Sequence, residues 1–178
     1  MKKILSLAAQ ALVVSSAGLT TVACSNSLNS AEDGKSKPPD PIVQNIKYYQ
    51  VLIKETENYI LDCDEMLVEI KDNRDGYDDE VDYQSALDEV KAQRFAYQAE
   101  ICDYQYQILL LEFNEKFTAE QVLEGIVIFS TRVSSLEQEL KLKEKYPDYY
   151  TEKELEIIRN DIQVAKLILE IFLALKED

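Results

Sequence analysis

The chain has 178 residues, a formal net charge of −15 and no histidine, a length that suits one domain better than two. This acidity disfavours nucleic acid and anionic lipid headgroups as partners, because like charges repel. The missing histidine removes Ser-His-Asp and Cys-His nucleophile systems, di-iron sites built on Glu-x-x-His pairs, and most zinc sites. We therefore expect a binding or structural protein, not an enzyme, that needs no cofactor.

Residues 1–23 have the form of a secretory signal peptide. The basic start Met1-Lys2-Lys3 precedes a mostly apolar stretch, and small residues follow up to Ala23. An export signal combines these three features in this order. Polar residues dilute the apolar stretch, so it suits a permanent membrane-spanning helix less well.

The residues Thr21-Val22-Ala23-Cys24 resemble the lipobox of bacterial lipoproteins, and the whole segment is similar to lipoprotein signals of wall-less bacteria. The resemblance covers residues 1–24, and Thr21 stands where the family usually has leucine. It implies a diacylglyceryl group on Cys24 and cleavage before it, which would anchor the protein at the extracytoplasmic face of the cell membrane. The alternative is ordinary signal-peptidase cleavage after Ala23.

Residues 24–40 are predicted to form a disordered tether behind the lipid. They are rich in Ser, Asn, Lys and Pro and show no hydrophobic period, a composition typical of disordered segments. A flexible chain of about 16 residues would place the domain roughly 20–25 Å from its anchor.

Residues 41–178 carry the pattern of an all-α domain. Apolar residues recur alternately at every third and fourth position in four segments, the heptad spacing of coiled coils and helical bundles. Short connections make consecutive helices antiparallel, so we predict an up-down four-helix bundle with long, coiled-coil-like helices, the first two longer than the last two.

Local signals place the ends of these helices. We expect the first to run from Pro41 to the turn Asp72–Gly76, with Gly76 at positive φ, and the second from about Asp78 to about Lys116. The third and fourth each open on a capping box and a hydrophobic staple. The boxes pair Thr118 with Gln121 and Thr151 with Glu154, and the staples pair Phe117 with Val122 and Tyr150 with Leu155.

The fourth helix is apolar on more than one face. We therefore expect it to be the most buried helix, or alternatively to contact a second copy of the chain in a homodimer. A membrane-surface role is disfavoured because its polar face is not basic. The residues outside its main seam are Ile157, Val164, Ile168, Ile171 and Leu175.

The segment Lys71–Asp82 invites comparison with a calcium-binding loop. If Gly76 is aligned with the invariant EF-hand glycine, Asn73, Asp75 and Asp82 fall on ligand positions, but Lys71 occupies the first, which requires an acid. We predict a helix-helix turn here and assign no metal ligand, with weak Ca²⁺ binding as the alternative.

Cys63 and Cys102 remain once Cys24 is assigned to the lipid. In an antiparallel hairpin that turns near Asp75 they lie about 22 Å apart along the helix axes, which is beyond disulfide reach. We therefore predict two unpaired thiols, with Cys63 buried.

Three tyrosines, Tyr146, Tyr149 and Tyr150, cluster at one end of the predicted bundle. Tyrosine is favoured in protein interfaces, so these residues form the candidate contact patch, although a bundle boundary with the rings inward is the ordinary alternative. The sequence favours a membrane-anchored surface lipoprotein whose helical domain binds another macromolecule. The alternative is a lipid-anchored solute- or ion-binding protein.

Overall fold

The computed structural model describes residues 41–177, so the signal segment, Cys24 and the tether lie outside the described residues. The prediction of an all-α fold with four helices is confirmed, and the first two helices, of 32 residues each, are longer than the last two, of 25 and 26 residues. The helices are α1 (Pro41–Asp72), α2 (Glu80–Leu111), α3 (Ala119–Lys143) and α4 (Glu152–Glu177), and a short 3₁₀ turn, Arg74–Gly76, follows α1.

Both predicted capping boxes are present. The Thr118 hydroxyl accepts from the Gln121 N–H at 3.2 Å, and the Gln121 side-chain oxygen accepts from the Thr118 N–H at 3.0 Å. Thr151 and Glu154 make the same reciprocal pair at 3.3 and 2.7 Å. These bonds satisfy backbone donors that the first turn of a helix leaves unpaired, which fixes where α3 and α4 begin.

Two local expectations are wrong. Gly76 does not adopt a positive φ. It instead ends the 3₁₀ turn, where its N–H donates to the Asn73 carbonyl at 2.9 Å. Helix α2 ends at Leu111, before Lys116, because the chain turns in the connection that follows, where Glu115 has a left-handed φ of 61°. A right-handed helix cannot continue through such a residue.

Helix α2 presents one face to α1. On this face, Arg94 of α2 pairs with Asp64 of α1 at 2.7 Å. The other cross-helix pairs are Tyr59 with Tyr97 and Tyr49 with Tyr104, with ring centroids 5.4 and 6.1 Å apart. All three pairings run in opposite directions along the two helices, so α1 lies antiparallel to α2.

Helix α2 presents a second, more deeply buried face to α3 and α4. Its residues share heptad spacing but include small and polar side chains: Asp88, Ala92, Ala99, Cys102, Tyr106 and Leu109. Tyr106 packs edge-to-face on Phe129 of α3 and Phe172 of α4, with ring centroids 4.8 and 6.3 Å away. The core of the domain therefore sits among α2, α3 and α4.

The expectation that α4 is the most buried helix is wrong. Helix α3 buries eight of its 25 residues and α4 six of 26, because α3 packs against both α2 and α4. Ile157, on the second apolar face of α4, is 53% exposed, and Leu167 of the same helix is 60% exposed. Helix α1 buries only Thr56 and Cys63.

A buried arginine joins the three core helices. Arg132 of α3 places its Nε 2.7 Å from Oδ1 of Asp103 on α2, and its Nη2 donates to Oδ2 at 3.0 Å. Its Nη1 donates to the backbone carbonyl of Asp161 on α4 at 3.4 Å. Burial raises the pKa of both aspartates against the opposing effect of the Arg132 charge.

Within residues 41–177, no helix combines the length and the hydrophobicity that crossing a lipid bilayer requires.

Candidate functional site

The structure brings Tyr146, Tyr149 and Tyr150 together in the wall of one pocket with a volume of about 360 Å³. The rest of the lining comes from the first turns of α2. We call this site the tyrosine pocket. Its lining consists of the three tyrosines with Asp82, Ser85, Ala86 and Glu89.

The connection between α3 and α4 presents the tyrosines as a compact turn. The N–H groups of Tyr149 and Tyr150 both donate to the Tyr146 carbonyl, at 3.0 and 3.3 Å. Pro147 follows directly, where its fixed φ favours a turn. The rings of Tyr146 and Tyr149 meet edge to face with centroids 6.2 Å apart, a geometry that aromatic pairs prefer.

Asp88 ties this connection to α2. Its Oδ2 accepts from the Tyr146 hydroxyl at 3.2 Å and from Lys145 Nζ at 2.8 Å, while its Oδ1 accepts from Lys91 Nζ at 3.2 Å. Burial opposes ionisation of this carboxyl, which is 7% exposed, but the hydrogen bonds and charges of the two lysines outweigh it and lower the pKa. Asp88 therefore stays charged and positions the tyrosines.

Arg159 braces the same connection from α4. Its guanidinium lies 2.9 Å from Glu144, which precedes the tyrosines, and 2.5 Å from Glu152, which follows them. A single planar fork thus spans both ends of the connection, a geometry that a guanidinium provides and an ammonium does not.

The electrostatic character of the tyrosine pocket is acidic. In the part of the chain that the structure describes, neither Asp82 nor Glu89 takes part in an ion pair. Burial, reinforced by the Glu89 charge, raises the pKa of Tyr150, so its hydroxyl stays neutral. Within residues 41–177, the pocket therefore combines three aromatic rings with two carboxylates that form no ion pair.

The segment compared with a calcium loop forms a helix-helix turn. Asp79 caps α2, since its Oδ1 accepts from the N–H groups of Val81 and Asp82 at 2.7 and 2.9 Å. Arg74 pairs with Glu80 across the turn at 2.7 Å. No cluster of three or more potential metal-ligating side chains occurs within residues 41–177.

Cys63 and Cys102 are both buried and unpaired, which confirms the predicted burial of Cys63. Burial raises the pKa of both thiols, that of Cys102 to about 11. The thiolate is the reactive form of cysteine, so neither side chain has the chemistry of a nucleophile at neutral pH.

The part of the tyrosine pocket that α2 contributes was not predicted from the sequence. One face of α2 is indicated by the spacing of its four pocket residues, Asp82, Ser85, Ala86 and Glu89. The sequence therefore could have predicted that these side chains lie together. The spacing does not indicate that this face lies beside a connection about 60 residues further along the chain.

Comparisons of this chain with protein-family models, with curated proteins and with solved structures found no match.

Proposed function

We propose that this chain is a membrane-anchored surface lipoprotein whose helical domain binds another protein through the tyrosine pocket. The observation that carries the proposal is the set of three tyrosines held together on one braced connection. Tyr149 is 72% exposed. Tyrosine rings bury a large area at low entropic cost when a partner covers them, so they are favoured in interfaces.

The position of the pocket suits this role. It lies beside the first turns of α2, at the end of the bundle where α1 finishes, whereas the chain enters the helical domain at the start of α1. The 32 residues of α1 span about 48 Å. The chain therefore enters the helical domain at the end of α1 that lies away from the pocket.

The pocket volume favours one alternative, a lipid-anchored solute-binding protein. A volume of about 360 Å³ falls at the lower end of the range for small-molecule sites. The three aromatic walls would then enclose a ligand instead of a partner's side chain.

Partner capture with matched variants tests the proposed function. The full chain, purified in detergent, is used as bait in three forms: wild type, Y149A/Y150A, and the control Y48A, which removes an exposed tyrosine of α1 that does not line the pocket. We expect one partner to be retained by the wild type and the α1 variant and lost from the pocket variant. A thermal shift of several degrees with a small ligand, abolished by Y149A/Y150A, would overturn protein binding in favour of the alternative.

The anchor has its own test. We expect mass spectrometry of the mature protein to show a lipid-modified N-terminal Cys24 and detergent partitioning to place the protein in the detergent phase. An unmodified Cys24 in the aqueous phase would contradict lipidation.

A further inference from the structure

The tyrosine pocket has the chemistry of a cation site. We propose that it receives a basic side chain, arginine above all, carried by the protein partner. This inference rests on the proposed function and specifies what the pocket recognises.

The first support is that a pocket tyrosine already accepts a cation. Lys143 of α3 holds its ammonium 5.3 Å from the centroid of the Tyr150 ring. An ammonium or guanidinium within about 6 Å of an aromatic centroid is attracted by the negative ring face. Tyr146 and Tyr149 offer further ring surface in the same wall.

The second support is the charge that α2 contributes to the lining. Asp82 and Glu89 line the same pocket as the rings, and neither carboxylate forms an ion pair within residues 41–177. A planar guanidinium can stack on a ring and donate two parallel hydrogen bonds to a carboxylate at the same time, which an ammonium cannot do. This combination favours arginine over lysine.

The lysines around the pocket are already engaged and do not line it. Lys143 pairs with Glu139 at 2.6 Å, and Lys145 pairs with Asp88 at 2.8 Å. The pocket lining holds no basic residue. The cation that complements Asp82 and Glu89 is therefore to be supplied from outside this domain.

The charge of the whole domain acts in the same direction. Residues 1–40 hold four lysines and three acidic residues, so residues 41–178 carry a formal charge of −16. Such a surface attracts a basic partner at long range and repels an acidic one.

The openness of the pocket favours a side chain of a protein over a free cation. Tyr149 stands largely in solvent, so a small cation bound there would keep much of its hydration and gain little. A partner that covers the tyrosines excludes this water, and the same charges then interact more strongly in the drier surroundings.

Binding of charged peptides to the full chain in detergent tests the inference. The peptides are hexa-arginine and hexa-citrulline, which has nearly the same shape without the charge, and tetramethylammonium chloride serves as the free cation. Affinity is measured by calorimetry, and NMR of ¹³C-labelled tyrosine rings reports the site. We expect hexa-arginine to shift the resonances of Tyr146, Tyr149 and Tyr150, and hexa-citrulline to bind at least tenfold more weakly.

Two pairs of variants separate the pocket from the general acidity of the domain. D82N/E89Q removes both pocket carboxylates, and E65Q/E170Q removes two exposed carboxylates on α1 and α4 with the same change in net charge. We expect at least a tenfold loss of hexa-arginine affinity in the first and less than a threefold loss in the second. Replacement of the ring in Y149L should weaken binding, whereas Y149F should retain it. Circular dichroism melts of all four variants identify any that lose the fold.

Four results would overturn the inference. The first is an equal loss of affinity in the two carboxylate variants, which would mean diffuse attraction. The second is equal binding of hexa-citrulline. The third is tetramethylammonium binding as tightly as hexa-arginine at the same rings, which would assign the pocket to a free cation. A captured partner that requires Tyr149 and Tyr150 but tolerates D82N/E89Q would refute the cation site and leave protein binding intact.

Discussion

Replacing Gly125 of α3 by alanine should destabilise the domain, although alanine is the better helix former. Glycine in a helix interior ordinarily costs about 1 kcal/mol relative to alanine. At this position a Cβ would lie 2.5 Å from Cδ1 and from Cζ of Phe172, and as close to Cε1, whereas ordinary contact begins at 3.4 Å. The ring would have to withdraw by about 0.9 Å.

Phe172 has no room to withdraw. It is 2% exposed, and rings on three sides enclose it: Phe117, Phe129 and Tyr106, with centroids 5.3, 6.0 and 6.3 Å away. Overpacking of this kind costs about 1–3 kcal/mol. After the gain in helix propensity, we expect G125A to lower the free energy of unfolding by up to about 2 kcal/mol.

Urea denaturation followed by far-UV circular dichroism measures this change. The matched control is S130A, on the exposed face of the same helix, which should stabilise the domain by a few tenths of a kcal/mol. In the double variant G125A/F172L, the smaller side chain relieves the clash, so the two substitutions should show a coupling of about 1 kcal/mol. If G125A stabilises the domain as much as S130A does, the close approach of α3 and α4 inferred here is wrong.

D88N should lower the free energy of unfolding by about 1–3 kcal/mol at pH 7, since it removes charge-assisted hydrogen bonds from a buried carboxylate. Because the pKa of Asp88 is lowered from 3.8, the difference in unfolding free energy between wild type and D88N should be lost only as the pH falls below about 4. A difference that does not change with pH would contradict the lowered pKa. D161N should raise the melting temperature at pH 7. The raised pKa of Asp161 disfavours its charged form in the fold, so the gain should vanish on acidification to pH 3, where both proteins are neutral at this site. E115N should stabilise the domain by about 0.5 kcal/mol, because asparagine adopts the left-handed φ of 61° more readily than glutamate, while E115Q, which changes only the charge, should not.

The parts of the fold that were predictable from the sequence are those encoded by neighbouring residues. The capping boxes at Thr118 and Thr151 depend on contacts between residues three positions apart. The face that α2 presents to α1 consists largely of large apolar and aromatic residues, which are visible in the sequence. The second, more deeply buried face of α2 was not predicted, because its most buried residues include Ala92, Ala99 and Cys102. These small side chains do not form a recognisable apolar stripe in the sequence. Their burial follows from the proximity of α3 and α4, which is a property of helix packing.

The tyrosine pocket likewise has one part that was predictable from the sequence and one part that was not. Tyr146, Tyr149 and Tyr150 were identifiable because they are close neighbours in the chain. Their partners on α2 were not, since the pairing of Glu89 with a turn about 60 residues away requires the order in which the helices pack. The role of Asp88 could not be predicted either, because the sequence does not distinguish a buried carboxylate from an exposed one. Only the structure shows which lysine contacts it.

The shallow burial of α1 has a mechanical consequence. Only Thr56 and Cys63 of its 32 residues are buried, so its amide protons should exchange through a local opening well below the free energy of global unfolding. A pulling force applied where the chain enters α1 would load this least embedded helix first. Helix α1 would then separate from α2. The tyrosine pocket would stay assembled under tension, because it is built on α2 and the α3–α4 connection.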